Sequence, residues 1–389
     1  MSKILLWVDR AFIGEEYQDQ VYLLLDQGRI VSLGRQEDWR EQKDESIQKV
    51  VCRGTLWPGL IDAHTHIGLE EEMDPSGSDT NEMGNPIQPA LRVIDGIQPS
   101  DGLFAQAREE GITTVGIFPG SSNLIGGLGA SLYTAGRTVD EMLIESPNGL
   151  KGALGENPKR DYGSKGEAPF TRMGEMMLLR KALYEAVAYQ EQKAHNLDLF
   201  HFEKEPLCWL LERKIPLRLH AHRADDICSA IRLADEFRFS LVIEHATGAA
   251  GLLDEIKEKK VGLAIGPLWM VRSKREMQAF TAALPALLEE KGIPFCLITD
   301  GPELPPSGLR LSAMLAKKQG LSERAAILSI TWESSRILRL DHRMGKIEKG
   351  YEANLVLFQG DPLDFYTKVG WTMIKGEFVY GEDHACAQS

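Results

Sequence analysis

Eight short apolar runs, at 60–66, 112–118, 129–134, 148–154, 215–221, 240–245, 261–265 and 294–299, recur through the middle of the chain with amphipathic stretches between them. Strands alternating with helices are the signature of a parallel β/α architecture, and eight strands are enough to close a (β/α)8 TIM barrel. "DDICSAIRLADEF" is the clearest helix. Asp225 and Asp226 favour its N-terminus, and Ile227, Ala230, Ile231 and Ala234 repeat at helical spacing. It directly follows the strand-like "IPLRLHAH". In such a barrel the active site lies where strands end, so the last residues of each run are the ones to read for chemistry.

The two ends of the chain read differently. ILLWV, VYLLL and IVSL near the start, and "GKIEKGYEANLVLFQGDPLD" and "VGWTMIKGEFVYGE" near the end, are β-like runs punctuated by turn residues. A chain of 389 residues exceeds the usual size of a single core. The expected division is an α/β barrel over 57–342 and a small composite β-sandwich built from 1–56 and 343–389.

Charge and cysteine content narrow the partners. A formal net charge of −13 repels nucleic-acid backbones and anionic lipid surfaces at long range. No apolar run reaches membrane-spanning length, and the start "MSKILLWVDRAF" has too short an apolar segment for a secretory signal. Cys52, Cys208, Cys228, Cys296 and Cys386 are odd in number, widely spread and without C-x-x-C spacing, as in reduced thiols. These readings together predict a cytoplasmic protein acting on a small molecule, with neither nucleic acid nor membrane as partner.

Four histidines fall at predicted strand ends: His64 and His66 in "GLIDAHTHIGL", His220 in "LRLHAH" and His245 in "LVIEHATG". Asp300 ends "CLITD". Side chains alternate along a strand, so His64 and His66 share a face, as Leu241, Ile243 and His245 are expected to share theirs. Neutral imidazoles and a carboxylate converging on an open position are what a catalytic divalent metal requires. Taken singly each histidine has a structural reading, and Asp300 has one as the cap of the next segment. The ordered set favours metal.

With those residues in place, the chain resembles the amidohydrolase superfamily over nearly its whole length. "PGLIDAHTHIGL" and the His, His and Asp ending strands five, six and eight carry the likeness, and "MGKIEKGYEANLVLFQGDPLD" is similar to the segment returning from barrel to sandwich. "LHAHRADD" and "IEHATG" look closest to the branch of imidazolonepropionase and prolidase-like dipeptidases. The resemblance implies that His64 and His66 are the first metal pair, that His220 and His245 are further ligands, and that Asp300 both contacts metal and shuttles the proton. It also implies zinc, as one or two ions, and a homo-oligomer as a family-level expectation.

The fourth strand leaves an alternative open. Lys151 in "GLKGAL" stands where a carboxylated lysine would bridge two metals, and Glu156 in "LGENPKR" stands where a glutamate would. "GENPKR" also reads as a turn, while Lys159 and Arg160 are candidate clamps for a substrate carboxylate or phosphate. His222 is a candidate substrate-binding or supporting residue. Residues 68–89 form an acid-rich loop in which Glu70, Glu71, Glu72, Asp79 and Glu82 either meet a cationic amine or are solvated. The glycine-rich stretch 118–131 lacks nucleotide-binding spacing.

The expected activity is hydrolysis of a C–N bond in a small amide, cyclic amide or dipeptide-like substrate by metal-activated water. Deamination of a heterocyclic amine on the same site is the alternative. A catalytically silent binding protein would be expected to have lost ligands that are all present here.

Overall fold

The computed structural model describes residues 3–40, 47–70, 77–196 and 198–381. Four strands come first: β1 (Ile4–Ile13), β2 (Glu16–Asp26), β3 (Arg29–Arg35) and β4 (Gln48–Pro58). Eight follow through the middle: β5 (Leu60–Thr65), β6 (Ile112–Ile117), β7 (Gly127–Tyr133), β8 (Leu143–Ala153), β9 (Leu217–Ala221), β10 (Leu241–His245), β11 (Gly262–Ile265) and β12 (Cys296–Leu297). The last three are β13 (Leu355–Phe358), β14 (Val369–Ile374) and β15 (Glu377–Tyr380).

Both ends of the chain share one seven-stranded sheet, ordered β15-β14-β13-β4-β1-β2-β3. β13 pairs antiparallel with β4, from Leu355 opposite Pro58 to Phe358 opposite Thr55. The returning end is thereby fastened to the strand that leads into β5. Leu6, Val8, Leu23, Leu25, Leu355, Leu357 and Trp371 form its separate apolar cluster. Each such side chain contributes on the order of 1.5–3 kcal/mol by leaving water.

The middle strands form an eight-stranded sheet in chain order, β5 to β12. It closes on itself where Thr65 bridges Gly301 in parallel, the His66 N–H donates to the Gly301 carbonyl at 2.7 Å, and the Asp300 N–H donates to the His64 carbonyl at 3.2 Å. Its strands match the eight expected runs, with one correction. β7 runs antiparallel to both β6 and β8. The links 118–126 and 134–142 on either side of it are shorter than the roughly dozen residues a parallel crossover needs, so hairpins form there instead. Two reversals restore the direction, and β8 again pairs parallel with β9.

The expected helix forms over Ala224–Phe237, with Asp225 and Asp226 in its first turn and Ile227, Ala230 and Ile231 buried. Arg238 ends it in the left-handed conformation, φ +61°. Among the described residues, Cys208, Cys228 and Cys296 are free, and no helix is long and apolar enough to cross a membrane. Cys386 lies outside the described residues.

Candidate active site

Closure of the barrel brings the two ends of the sheet's chain order together at the histidine pair. His64 Nε2 lies 3.1 Å and His66 Nε2 3.4 Å from the same oxygen, Asp300 Oδ1. One donor atom from each of His64, His245 and Asp300 falls within 4.8 Å of the others. His66 donates from Nδ1 to the Phe118 carbonyl at 2.8 Å, and His245 from Nδ1 to the Gly266 carbonyl at 2.7 Å. A carbonyl only accepts, so Nδ1 carries a proton in both rings, and each ring turns its Nε2 toward the site.

Strand alternation alone does not produce this arrangement. Glu244 and His245 are consecutive and should face opposite ways, yet both approach His64. His245, Ala246 and Asp300 adopt left-handed backbone, φ +68°, +48° and +57°. That conformation is costly for residues with a Cβ, and it turns His245 and Asp300 toward the pair on β5. The alternation expected for Leu241, Ile243 and His245 therefore ends before His245.

Beneath the histidines is a buried ion network. Glu244 Oε1 lies 2.9 Å from His64 Nδ1 and accepts from Arg218 Nε at 2.9 Å, while Glu244 Oε2 accepts from Lys151 Nζ. The side chains of Lys151 and Glu244 have no exposed surface. Arg218 also donates to the Ala63 carbonyl at 2.8 Å and stacks on Phe118. Burial by itself would raise the Glu244 carboxyl, but His64, Lys151 and Arg218 hold it well below the usual carboxylate range.

Beside this network, His220 and His222 leave the end of β9 with rings 4.6 Å apart, and His220 is 4.5 Å from the His245 ring. Glu276, in a short turn at Arg275–Met277 after β11, returns to face both. Both ring nitrogens of His220, Nε2 of His245 and Oε1 of Glu276 are buried without a hydrogen-bond partner. Burial first, then the neighbouring imidazole of His245, keeps His220 and His222 far below the usual histidine range. Burial likewise depresses His245 to about 4. Asp300 is driven the other way: burial is outweighed by His245, His64 and His66, leaving its carboxyl well below the usual range. His66 is raised, because Asp300 more than offsets burial.

The sequence candidates divide between floor and rim. Lys151 is on the floor. Glu156 opens the helix Glu156–Gly163 and reaches the cluster through its backbone N–H, which donates to Glu276 Oε2 at 2.8 Å. A cavity of about 520 Å³ opens above His66, His220 and Asp300, lined also by Glu70, Thr80, Asn81, Ser122, Arg160, Lys274 and Glu303. Arg160 pairs with Asp161 at 2.8 Å, and Lys159 does not line this cavity. Asp79 and Glu82 are exposed, and Glu71 and Glu72 lie outside the described residues. Lys274 makes no salt bridge among the described residues.

Glu244, Arg218, Lys274 and Glu276 were not singled out by sequence. Arg218 had one signal, a charge inside the apolar run "IPLRLHAH". Glu244 was masked by its neighbour His245. "RSKREMQ" carries no strand or helix pattern, so nothing aimed Lys274 and Glu276 at the site.

The strand ends of a nearly closed α/β barrel thus gather two groups of imidazoles and carboxylates whose donor atoms lie close enough to hold a metal ion. Comparison with known proteins gives the family. Residues 215–382 match the description "Amidohydrolase family". The chain is similar to an amidohydrolase from Thermotoga maritima MSB8, with 34% identity, 97% of this chain and 99% of that one covered, and a TM-score of 0.93. It is 28% identical over 372 residues to amidohydrolase tasK of Hapsidospora irregularis, covering 88% of this chain and 38% of the tasK length. The fold also matches A. niger ochratoxinase at 14% identity, over 98% of this chain and 96% of that one, with a TM-score of 0.60. The chain belongs to the amidohydrolase family, whose members are hydrolases of carbon–nitrogen bonds.

Proposed function

We propose that this protein is a metal-dependent amidohydrolase that cleaves a C–N bond in a small amide, cyclic amide or dipeptide-like substrate. Its working body is a (β/α)8-type barrel over 57–342, carried on a β-sandwich domain from 1–56 and 343–389. The observation that carries the reading is the convergence of His64, His245 and Asp300 at the seam where the barrel closes. Two relatives that are themselves called amidohydrolases support it.

The donor set fits a divalent ion such as zinc. Neutral imidazoles with orphaned buried nitrogens and an ionised carboxylate are the ligands such an ion takes, and pairing with a cation relieves their burial. His64, His66, His245 and Asp300 would hold it. When bound, the ion supplies a Lewis acid and lowers the pKa of water.

The chain's own groups supply the rest. Asp300 accepts the proton of the attacking water and returns it to the leaving amine. Glu244, anchored by Lys151 and Arg218, orients His64. Of the two candidate bridging residues, Lys151 is the one whose side chain reaches the floor. Arg160 and Lys274 at the rim attract a substrate carboxylate or phosphate, and His222 steadies substrate or ligand from the side. A panel of N-acyl amino acids, dipeptides, cyclic amides and heterocyclic amines, read for free amine, carboxylate and ammonia, tests the reading. New amine and carboxylate groups in equal amounts are expected; ammonia released only from heterocyclic amines would contradict it.

A further inference from the structure

We propose that the N-terminal face of the barrel, opposite the histidine cluster, carries a binding site for a compact anion with several negative charges, of the phosphate or diphosphate class. The inference is independent of the metal-hydrolase reading above.

The site is a cavity of about 430 Å³ among the links that lead into β9, β10 and β11, lined by Arg213, Arg238, Lys259 and Lys260 around the buried Phe239 and Val261. Leu241, which opens β10, also lines it, and His245 closes that strand at its other end. At about 3.3 Å per residue the two ends stand roughly 13 Å apart, so this cavity is separate from the histidine cluster.

Its charges are unbalanced. One acid lines the cavity, Asp235, and Lys259 already pairs with it at 2.7 Å. Arg213 donates from Nε to the Arg238 carbonyl at 2.5 Å, which fixes its guanidinium and leaves the two terminal nitrogens over. Among the described residues, the side chains of Arg238 and Lys260 make no hydrogen bond or ion pair. In a chain of net charge −13, three cations without a counter-charge at one cavity form a local field that attracts anions. Guanidinium forks and an ammonium are the donors that hold phosphate oxygens by charge-assisted hydrogen bonds.

The backbone points the same way. All three cations are left-handed, φ +59° at Arg213, +61° at Arg238 and +53° at Lys260, each just past a helix: Glu205–Leu211, Ala224–Phe237 and Leu253–Lys259. Glycine ends a helix in this conformation without steric cost. The next link in the series uses it: Gly292 follows the helix Leu284–Lys291 at φ +64° and does not line this cavity. Attraction to the helix dipole does not explain the difference, since the helix Leu253–Lys259 already has Lys257 and Lys259 in its last turn. The three links that border the cavity accept backbone strain to place a charge there.

The test is isothermal titration calorimetry of the full chain with pyrophosphate at low salt, beside Arg238→Gly, Lys260→Gly and Lys274→Met. Glycine removes the charge and suits the left-handed backbone, so both glycine variants should keep the fold by circular dichroism. If one does not fold, the other decides. Wild type is expected to bind one pyrophosphate per chain, each glycine variant to bind it about 10-fold or more weakly, and Lys274→Met to bind it as wild type does. No binding in wild type would overturn the proposal, as would equal affinity in wild type and the folded glycine variants. Affinity lost in Lys274→Met and kept in the glycine variants would place the anion at the active-site cavity and overturn it too.

Discussion

Glu244 and His64 meet at 2.9 Å, Oε1 to Nδ1, with no exposed surface on either side chain. This contact joins the histidine face of β5 to the charged floor, because the same carboxylate receives Lys151 and Arg218. A buried cation without its counter-charge is far more costly than the intact pair is favourable. Glu244→Gln is therefore expected to lose about 3–5 kcal/mol of stability in urea unfolding. A loss under about 1 kcal/mol would show that the network is not balanced through Glu244.

Asp300 is ionised, close to His64 and His66, and held at the seam by its own backbone. Asp300→Asn removes the proton acceptor and keeps the shape. Turnover on whichever panel substrate the protein hydrolyses should fall by about 10²–10⁴-fold. Near-normal turnover with unchanged thermal unfolding would exclude Asp300 from proton transfer.

Lys274 and Arg160 line the cavity above His66, His220 and Asp300. For an anionic substrate, Lys274→Met should raise KM by about 10–100-fold, the worth of one charge-assisted hydrogen bond, with kcat changed little. An equal effect on an uncharged substrate would show that the lysine acts through packing instead.

Glu175 predicts a pH dependence of stability. It is buried and accepts the Gly155 N–H at 3.2 Å, and burial, reinforced by Asp226, lifts its carboxyl to about 7. The folded value lies above the unfolded one near 4.3, so the native state binds the extra proton between them. Stability then falls as pH rises through about 4.5 to 7 and levels off above. Glu175→Gln should be more stable than wild type by about 3–4 kcal/mol at pH 8 and nearly equal at pH 4.5. Equal stability at both values would place the carboxyl in its ordinary range.

Much of this architecture was legible because its signals are local and periodic. The eight apolar runs, the helix from Ala224 and the β-like ends each carry their own pattern, and His64 and His66 share a face as alternation requires. β7 escaped because strand direction depends on the length of the links around it, which apolar periodicity does not report. Glu244 escaped because left-handed backbone at His245 breaks the alternation. Glu276 comes from a segment without regular structure and is placed by tertiary contacts alone, the Glu156 N–H and the glycine before it. Sequence showed where strands end; it did not show which loops fold back over those ends.

The most direct test of the central claim is hydrolysis of the substrate panel by the full chain before and after metal is stripped by chelator, followed by addition of zinc. Release of amine that disappears with the metal and returns with zinc is the predicted result. Hydrolysis that continues unchanged once elemental analysis shows the metal gone would contradict it.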